Sequence, residues 1–162
     1  MKLTFPKMVT LAAVFIGVDQ LIKWLVEMGL EFQQLVDVLP FLGLYRTWNQ
    51  GIAFSWLWGL DDRLLVVMTG VIIVFVLWLA RQTKPGNWLA RLGFSMIIGG
   101  AIGNLIDRVA YGHVVDYVLL HTPSWSFAVF NLADALISVG AAAIILSEFL
   151  EWRSSKTVKS AD

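Results

Sequence analysis

Four long apolar runs, each broken by few charges, alternate with more polar stretches along the chain. The first covers about residues 8–28 and contains VTLAAVFIGVDQLIKWLV. The second, residues 64–80, reads LLVVMTGVIIVFVLWLA between Arg63 and Arg81. Its 17 uncharged residues lie near the lower limit for a helix crossing roughly 30 Å of hydrocarbon. The third covers about 88–106 and the fourth about 132–150. Both contain small residues, GGAIGN and SVGAAA, that let membrane helices approach closely. The pattern predicts four transmembrane helices.

The connections differ. RQTKPGNW, between the second and third runs, is short and made of turn formers. The stretch from about 29 to 63 is long and contains FLGLYRTWNQGIAFSWLW, partly alternating and rich in aromatics. It reads as short strands followed by an amphipathic piece, Phe54 to Leu60, at the membrane interface. Residues 110–130 hold VVDYVLL and WSFAVFN, again strand-like. The expected fold is an all-α membrane protein of four transmembrane helices. A small extracytoplasmic β-sheet and a short interfacial helix or lid complete one membrane-embedded domain over residues 1–162.

Composition strengthens the membrane reading. The chain is 58% hydrophobic and has eight tryptophans. Only 15% is charged, against about 25% for a soluble domain. One soluble core of this size could not hide that much apolar surface. A net charge of zero gives no electrostatic case for a nucleic-acid partner. The lack of cysteine excludes disulfides, thiolate nucleophiles and Cys-ligated metals. With four spans, Lys2, Lys7, Arg81, Lys84, Arg91, Arg153, Lys156 and Lys159 fall on one side. The positive-inside rule makes that side cytoplasmic, with both termini inside. Glu27, Glu31, Asp37, Asp61, Asp62, Asp107 and Asp116 fall opposite. The first run carries Asp19 and Lys23 and is not cleanly followed by a small-x-small site, so it is read as a retained helix.

Polar residues within and beside the spans carry the candidate chemistry. Asp19 and Lys23 stand four apart on one helix face, a neutralised pair that positions the first helix or orients a neighbouring site. Gly99, Gly103 and Asp107 form one stripe of the third helix, and Gly100, Asn104 and Arg108 the adjacent one. Asp107 is read as a helix cap and network member, and Arg108 as a fork for a phosphate or carboxylate. Asn49 and Gly51 suit a turn, or a loop closing on a substrate. Asn131 and Asp134, three apart, suit a helix N-cap and its N3 acid. His113 and His121 show no metal-ligand spacing, so no metal or other cofactor is expected.

Asp116 and Asp134 map to the same membrane face, and a loop folded back between the third and fourth helices could bring them together. Adjacent carboxylates share one proton and titrate as a pair. One then activates a water while the other protonates a scissile carbonyl, which is aspartic-protease chemistry. From the residues alone a small transporter, a channel or an assembly subunit stays open. The acids crowd one boundary and the two halves are unalike, which favours an interfacial enzyme over a transporter.

DQLIK at 19–23, NQGIAF at 49–54, GGAIGNLIDR at 99–108, VVDY ending at Tyr117, and FNLAD at 130–134 occur in that order along the whole chain. In this the chain resembles the lipoprotein signal peptidases, or signal peptidase II family, inner-membrane aspartic endopeptidases. The resemblance implies catalytic aspartates at Asp116 and Asp134. It implies substrate-binding or supporting roles for Asp19, Lys23, Asn49, Gly51, Asn104, Asp107, Arg108, Asn131 and Ala133. It implies diacylglyceryl-modified prolipoproteins as substrates, cut before the lipidated cysteine at the outer boundary of a bacterial inner membrane. Membrane lipids are the surrounding partners, and a monomer suffices because one chain supplies both aspartates. Tyr117 stands where phenylalanine is common in the family, a departure that keeps an aromatic ring.

Overall fold

The computed structural model describes residues 3–51 and 62–159. Helices α1 (Phe5–Gly29), α2 (Asp62–Gln82), α3 (Trp88–Tyr111) and α4 (Leu132–Lys159) are each long and apolar enough to cross a membrane. Apolar side chains point outward: Val67, Val71 and Val74 of α2 are 60–67% exposed. Water would penalise that face, whereas lipid tails do not. The buried helix is α3, which packs against each of the other three.

All four helices extend past their apolar cores. The end of α3 matters most, because it shifts two candidate residues. The helix runs on to Tyr111 and closes on Gly112, whose φ of 74° takes the left-handed conformation and whose N–H reaches the Arg108 carbonyl. Asp107 is therefore inside the helix and buried, not a cap.

Strands β1 (Leu35–Leu39) and β2 (Leu42–Asn49) lie between α1 and α2. Strands β3 (Val114–Thr122) and β4 (Trp125–Ser126) lie between α3 and α4. They form one antiparallel sheet in the order β1-β2-β3-β4. Both connections leave the same end of an up-down bundle, so the sheet forms there. Thr47 pairs with Asp116 and Asn49 with Val114, which puts Asn49 diagonal to Asp116 on one sheet face. Asp116 thus sits five residues past α3 on the strand read from VVDYVLL, and that strand is what folds back toward the bundle. WSFAVFN contributes only two residues of strand, plus the Val118–Phe130 bridge. The amphipathic piece expected at Phe54 to Leu60 lies outside the described residues.

Three close contacts hold the frame. Between α3 and α4, a Cβ on Gly93 would stand 2.5 Å from the Gly140 carbonyl and one on Gly140 2.6 Å from the Gly93 carbonyl, so the backbones touch. At the sheet end, Arg46 of β2 donates from Nη1 to the Glu27 carbonyl of α1 at 2.6 Å, a cation on a helix C-terminus. At the opposite end, buried Arg91 donates to the Leu3 carbonyl at 2.7 Å and to the Thr83 carbonyl, joining the N-terminal segment, the α2–α3 turn and α3.

Gly140→Leu is expected to cost about 1–3 kcal/mol by overpacking the α3–α4 contact. Gly17→Leu, where a Cβ meets nothing within 4 Å, serves as the near-neutral control. Thermal unfolding of both proteins in detergent checks the pair.

Candidate active site

The two stripes of α3 serve different neighbours. Gly99 and Gly103 face α1: a Cβ on Gly99 would meet Phe15, and one on Gly103 would meet the Asp19 carboxylate. Gly100 faces α4, where a Cβ would strike the Ala133 carbonyl. The glycines clear space so that polar side chains farther along each stripe reach across. Asp107 continues the first stripe toward α1, and Asn104 the second toward α4.

Lys23 joins them. Its ammonium lies 2.8 Å from Asp19 Oδ2 and 2.8 Å from Asp107 Oδ2, and it donates to Asn104 Oδ1 at 2.9 Å. All three N–H donors are used, and the residue is 3% exposed. Gln20 donates to Asp107 Oδ1 at 2.8 Å and to the Gly103 carbonyl at 3.2 Å. The remaining Asp19 oxygen accepts the Ala133 N–H at 3.1 Å, and Asp107 accepts the Val115 N–H at 3.3 Å. One cluster thereby fastens α1, α3, β3 and the start of α4.

Because Asn104 Oδ1 accepts a hydrogen bond from the Lys23 ammonium and another from Asn131 Nδ2 (3.2 Å), its amide nitrogen must face outward. That nitrogen donates to Asp134 Oδ1 at 2.8 Å. Asn131 is the N-cap of α4. Its Oδ1 accepts the Asp134 N–H at 3.0 Å, while its own N–H donates to Asp134 Oδ2 at 3.2 Å. This reciprocal box satisfies helix-end donors that would otherwise be orphaned. The Asn131 amide nitrogen, aimed away from the helix, donates to Asp116 Oδ1 at 2.6 Å and to the Val115 carbonyl at 3.3 Å. Asn49 Nδ2 donates to Asp116 Oδ2 at 2.9 Å. The Asn49 oxygen accepts the Gly51 N–H at 2.9 Å, and Gly51 has φ +82°, a turn that favours glycine.

Asp116 and Asp134 are thus separated by one asparagine. Each Asp116 oxygen accepts one amide, and so does each Asp134 oxygen. Burial pushes the Asp116 carboxyl up to about 6; the Asn49 hydrogen bond opposes this and the nearby Asp134 charge adds to it. Four carboxyl groups, Asp19, Asp107, Asp116 and Asp134, gather around one ammonium. Among the described residues only Asp19 and Asp107 pair directly with that ammonium.

Of the residues singled out from sequence, Asp19, Lys23, Asn49, Asn104, Asp107, Asp116, Asn131, Ala133 and Asp134 meet in one network. Gly51 joins through Asn49. Arg108 does not join: it is half-buried on the Asn104 stripe, and among the described residues no hydrogen bond or ion pair reaches its guanidinium. Sequence reasoning undervalued Tyr117, whose hydroxyl accepts the Leu132 N–H at 3.1 Å. Burial pushes that phenol up to about 12, so it stays neutral. A tyrosine in a strand carries no local sign of such a contact 15 residues away.

Lys23→Ala leaves Asp19 and Asp107 buried without their cation and is expected to destabilise the protein by about 3–5 kcal/mol. Thermal unfolding measures this, and a loss within about 1 kcal/mol would mean that the cluster does not hold the bundle.

Residues 11–150 match the family model for signal peptidase (SPase) II. The lipoprotein signal peptidase of Mesorhizobium japonicum is 58% identical over 138 residues, covering 85% of this chain and 82% of the relative. That of Brucella ovis is 58% identical over 139 residues, covering 86% and 87%. A solved bacterial membrane enzyme superposes with a TM-score of 0.82 at 26% identity, over 96% of this chain and 94% of its own. With four membrane-crossing helices and a family match over most of its length, the chain belongs to the signal peptidase II family of multi-pass membrane proteases.

Proposed function

We propose that this protein is an aspartic endopeptidase that removes the signal peptide from diacylglyceryl-modified prolipoproteins, hydrolysing the bond before the lipidated cysteine, with Asp116 and Asp134 as the catalytic pair. The observation that carries this reading is the Asn131 bridge. One asparagine contacts both carboxyls and so holds them at a common site at the sheet end of the bundle. The lipoprotein signal peptidases most like this chain support the substrate class.

The chemistry follows from the environments of the two acids. Asp116 is the more deeply buried and keeps the shared proton. Asp134 stands in the first turn of α4, less buried than Asp116, with its two oxygens on the Asn104 amide and the Asn131 N–H. Asp134 takes a proton from water as the water oxygen bonds to the scissile carbonyl carbon, and Asp116 gives its proton to the carbonyl oxygen. The diol then collapses: the C–N bond breaks, nitrogen takes the proton from Asp134, and the diol hydroxyl returns one to Asp116. Asp19, Lys23, Asn104, Asp107, Asn131 and Ala133 hold the pair. Asn49, Gly51 and Arg108 face the substrate, with the Arg108 guanidinium, which has no partner among the described residues, suited to a carbonyl or phosphate acceptor.

Sidedness rests on charge. Lys7, Arg81, Lys84, Arg91, Arg153 and Lys156 all stand at the end opposite the sheet. We assign that end, with both termini, to the cytoplasm and the catalytic pair to the outer face of a bacterial inner membrane. There a signal helix remains in the bilayer while its scissile bond meets water, and the acyl chains stay in lipid. The chain acts as one domain among membrane lipids, and a monomer is sufficient.

Asp116→Asn and Asp134→Asn are each expected to lower cleavage of a synthetic diacylglyceryl-modified prolipoprotein by about 10³-fold or more, with thermal unfolding showing folded protein. Mass analysis of the released peptide locates the scission, and near-normal turnover by either variant refutes the pair. The pH dependence has a definite sign. Asp116 releases its proton near about 6 when folded and near 3.8 in its ordinary state. The singly protonated pair is therefore lost, and kcat/KM falls, as pH rises through about 6. The same group stabilises the fold at low pH and loses that contribution as pH climbs from 3.8 to about 6. A kcat/KM profile flat from pH 5 to about 8 would exclude Asp116 as the group that keeps the proton.

A further inference from the structure

We propose that Tyr117 is a positioning residue for this reaction, its hydroxyl fixing the angle between the strand that carries Asp116 and the helix that carries Asp134. The inference rests on the aspartate pair proposed above.

Tyr117 follows Asp116 on β3, so its side chain leaves the opposite face of the strand. There the ring is 5% exposed and packs with Val26 of α1 and with Val115. Its Oη accepts the N–H of Leu132, the first helical residue of α4. Each amide at that helix end has a different partner: Ala133 donates to Asp19, Asp134 to the Asn131 side chain, and Ala135 to the Asn131 carbonyl. The chain just before the helix is pinned to β3 by backbone hydrogen bonds between Phe130 and Val118 and by Tyr117 N–H to the Phe130 carbonyl.

These contacts divide the work. The Phe130 backbone and the Asn131 amide form a pivot close to Asp116. Rotation of α4 about that pivot would swing Asp134, three residues further on. Besides the Asn104 side-chain hydrogen bond to Asp134 itself, two off-axis ties to backbone amides oppose it: Asp19 on Ala133 from α1, and Tyr117 on Leu132 from the strand of Asp116 itself. The second couples the two acids' supports directly and is independent of the Lys23 cluster. The ionisable groups around this corner are Asp19, Lys23 and Asp107 on the α1–α3 side, with Asp116 and Asp134 themselves.

The test compares wild type, Tyr117→Phe and Tyr117→Phe/Leu132→Pro in cleavage of a synthetic diacylglyceryl-modified prolipoprotein in micelles, with thermal unfolding alongside. Proline at the first helical position has no N–H, so the double variant removes the donor that phenylalanine leaves stranded. The expected results for Tyr117→Phe are a kcat about tenfold lower with KM within about twofold, and a decline in kcat/KM that sets in at lower pH, because a wider pair repels less. The double variant is expected to regain thermal stability while kcat stays low. Wild-type kcat and pH profile in Tyr117→Phe would overturn the proposal. So would full recovery of kcat in the double variant, since the hydroxyl would then merely satisfy a buried amide. Asp116→Asn and Asp134→Asn run in the same assay separate the two readings: if they are inactive, failure at Tyr117 leaves the pair standing, and if they are active, both readings fall.

Discussion

A single ammonium inside the bundle organises the structure. Lys23 donates its three N–H groups to Asp19, Asp107 and Asn104 in a buried, low-dielectric setting where such contacts are strong. The consequences spread outward. Asp19 is left with one free oxygen, which seats the start of α4 through Ala133. Asp107 reaches the first residues of β3 through Val115. Asn104 has its oxygen occupied and must offer its nitrogen to Asp134. A buried ion pair is weak evidence for net stability, because its desolvation offsets its attraction. Its value here is geometric: it sets which atom each neighbour presents.

The start of α4 converts this frame into a candidate site. A helix N-terminus has several amides without intrahelical partners, and in this protein each is taken by a group tied to another element. Asn131 is at once the N-cap, the contact to Asp116 and an acceptor for Asp134. Capping and site assembly are therefore the same set of hydrogen bonds. The common helix-cap reading of Asn131 and Asp134 and their functional reading do not compete.

The sheet supplies what helices could not. A strand presents alternate side chains to opposite faces, so β3 turns Asp116 toward Asn49 and Asn131 while Tyr117 faces the bundle. Pairing with β2 brings Asn49 in from a segment far away in sequence. The glycine stripes of α3 work at the other scale, removing volume so that α1 and α4 lie close enough for short side chains such as Asp19 and Asn104 to bridge helices.

The apolar runs by themselves determined the four helices, because crossing hydrocarbon requires a long run of apolar residues whatever their neighbours are. Alternation in VVDYVLL marked a strand for a similar local reason. The acids were legible as candidates because an ionised group beside hydrocarbon is costly unless it has a partner. Partners themselves were not legible. Asp107 read as a helix cap, since the apolar run ends before it, yet the helix continues and Lys23 buries it. Asp116 read as part of a strand, but its partner strand was not legible, since pairing with β2 is a long-range choice. The fit of Tyr117 Oη to the Leu132 amide, and the outward turn of the Asn104 nitrogen, depend on distances between elements remote in sequence. Only the packed tertiary structure sets those distances, because hydrogen bonds reward geometry that no local pattern encodes.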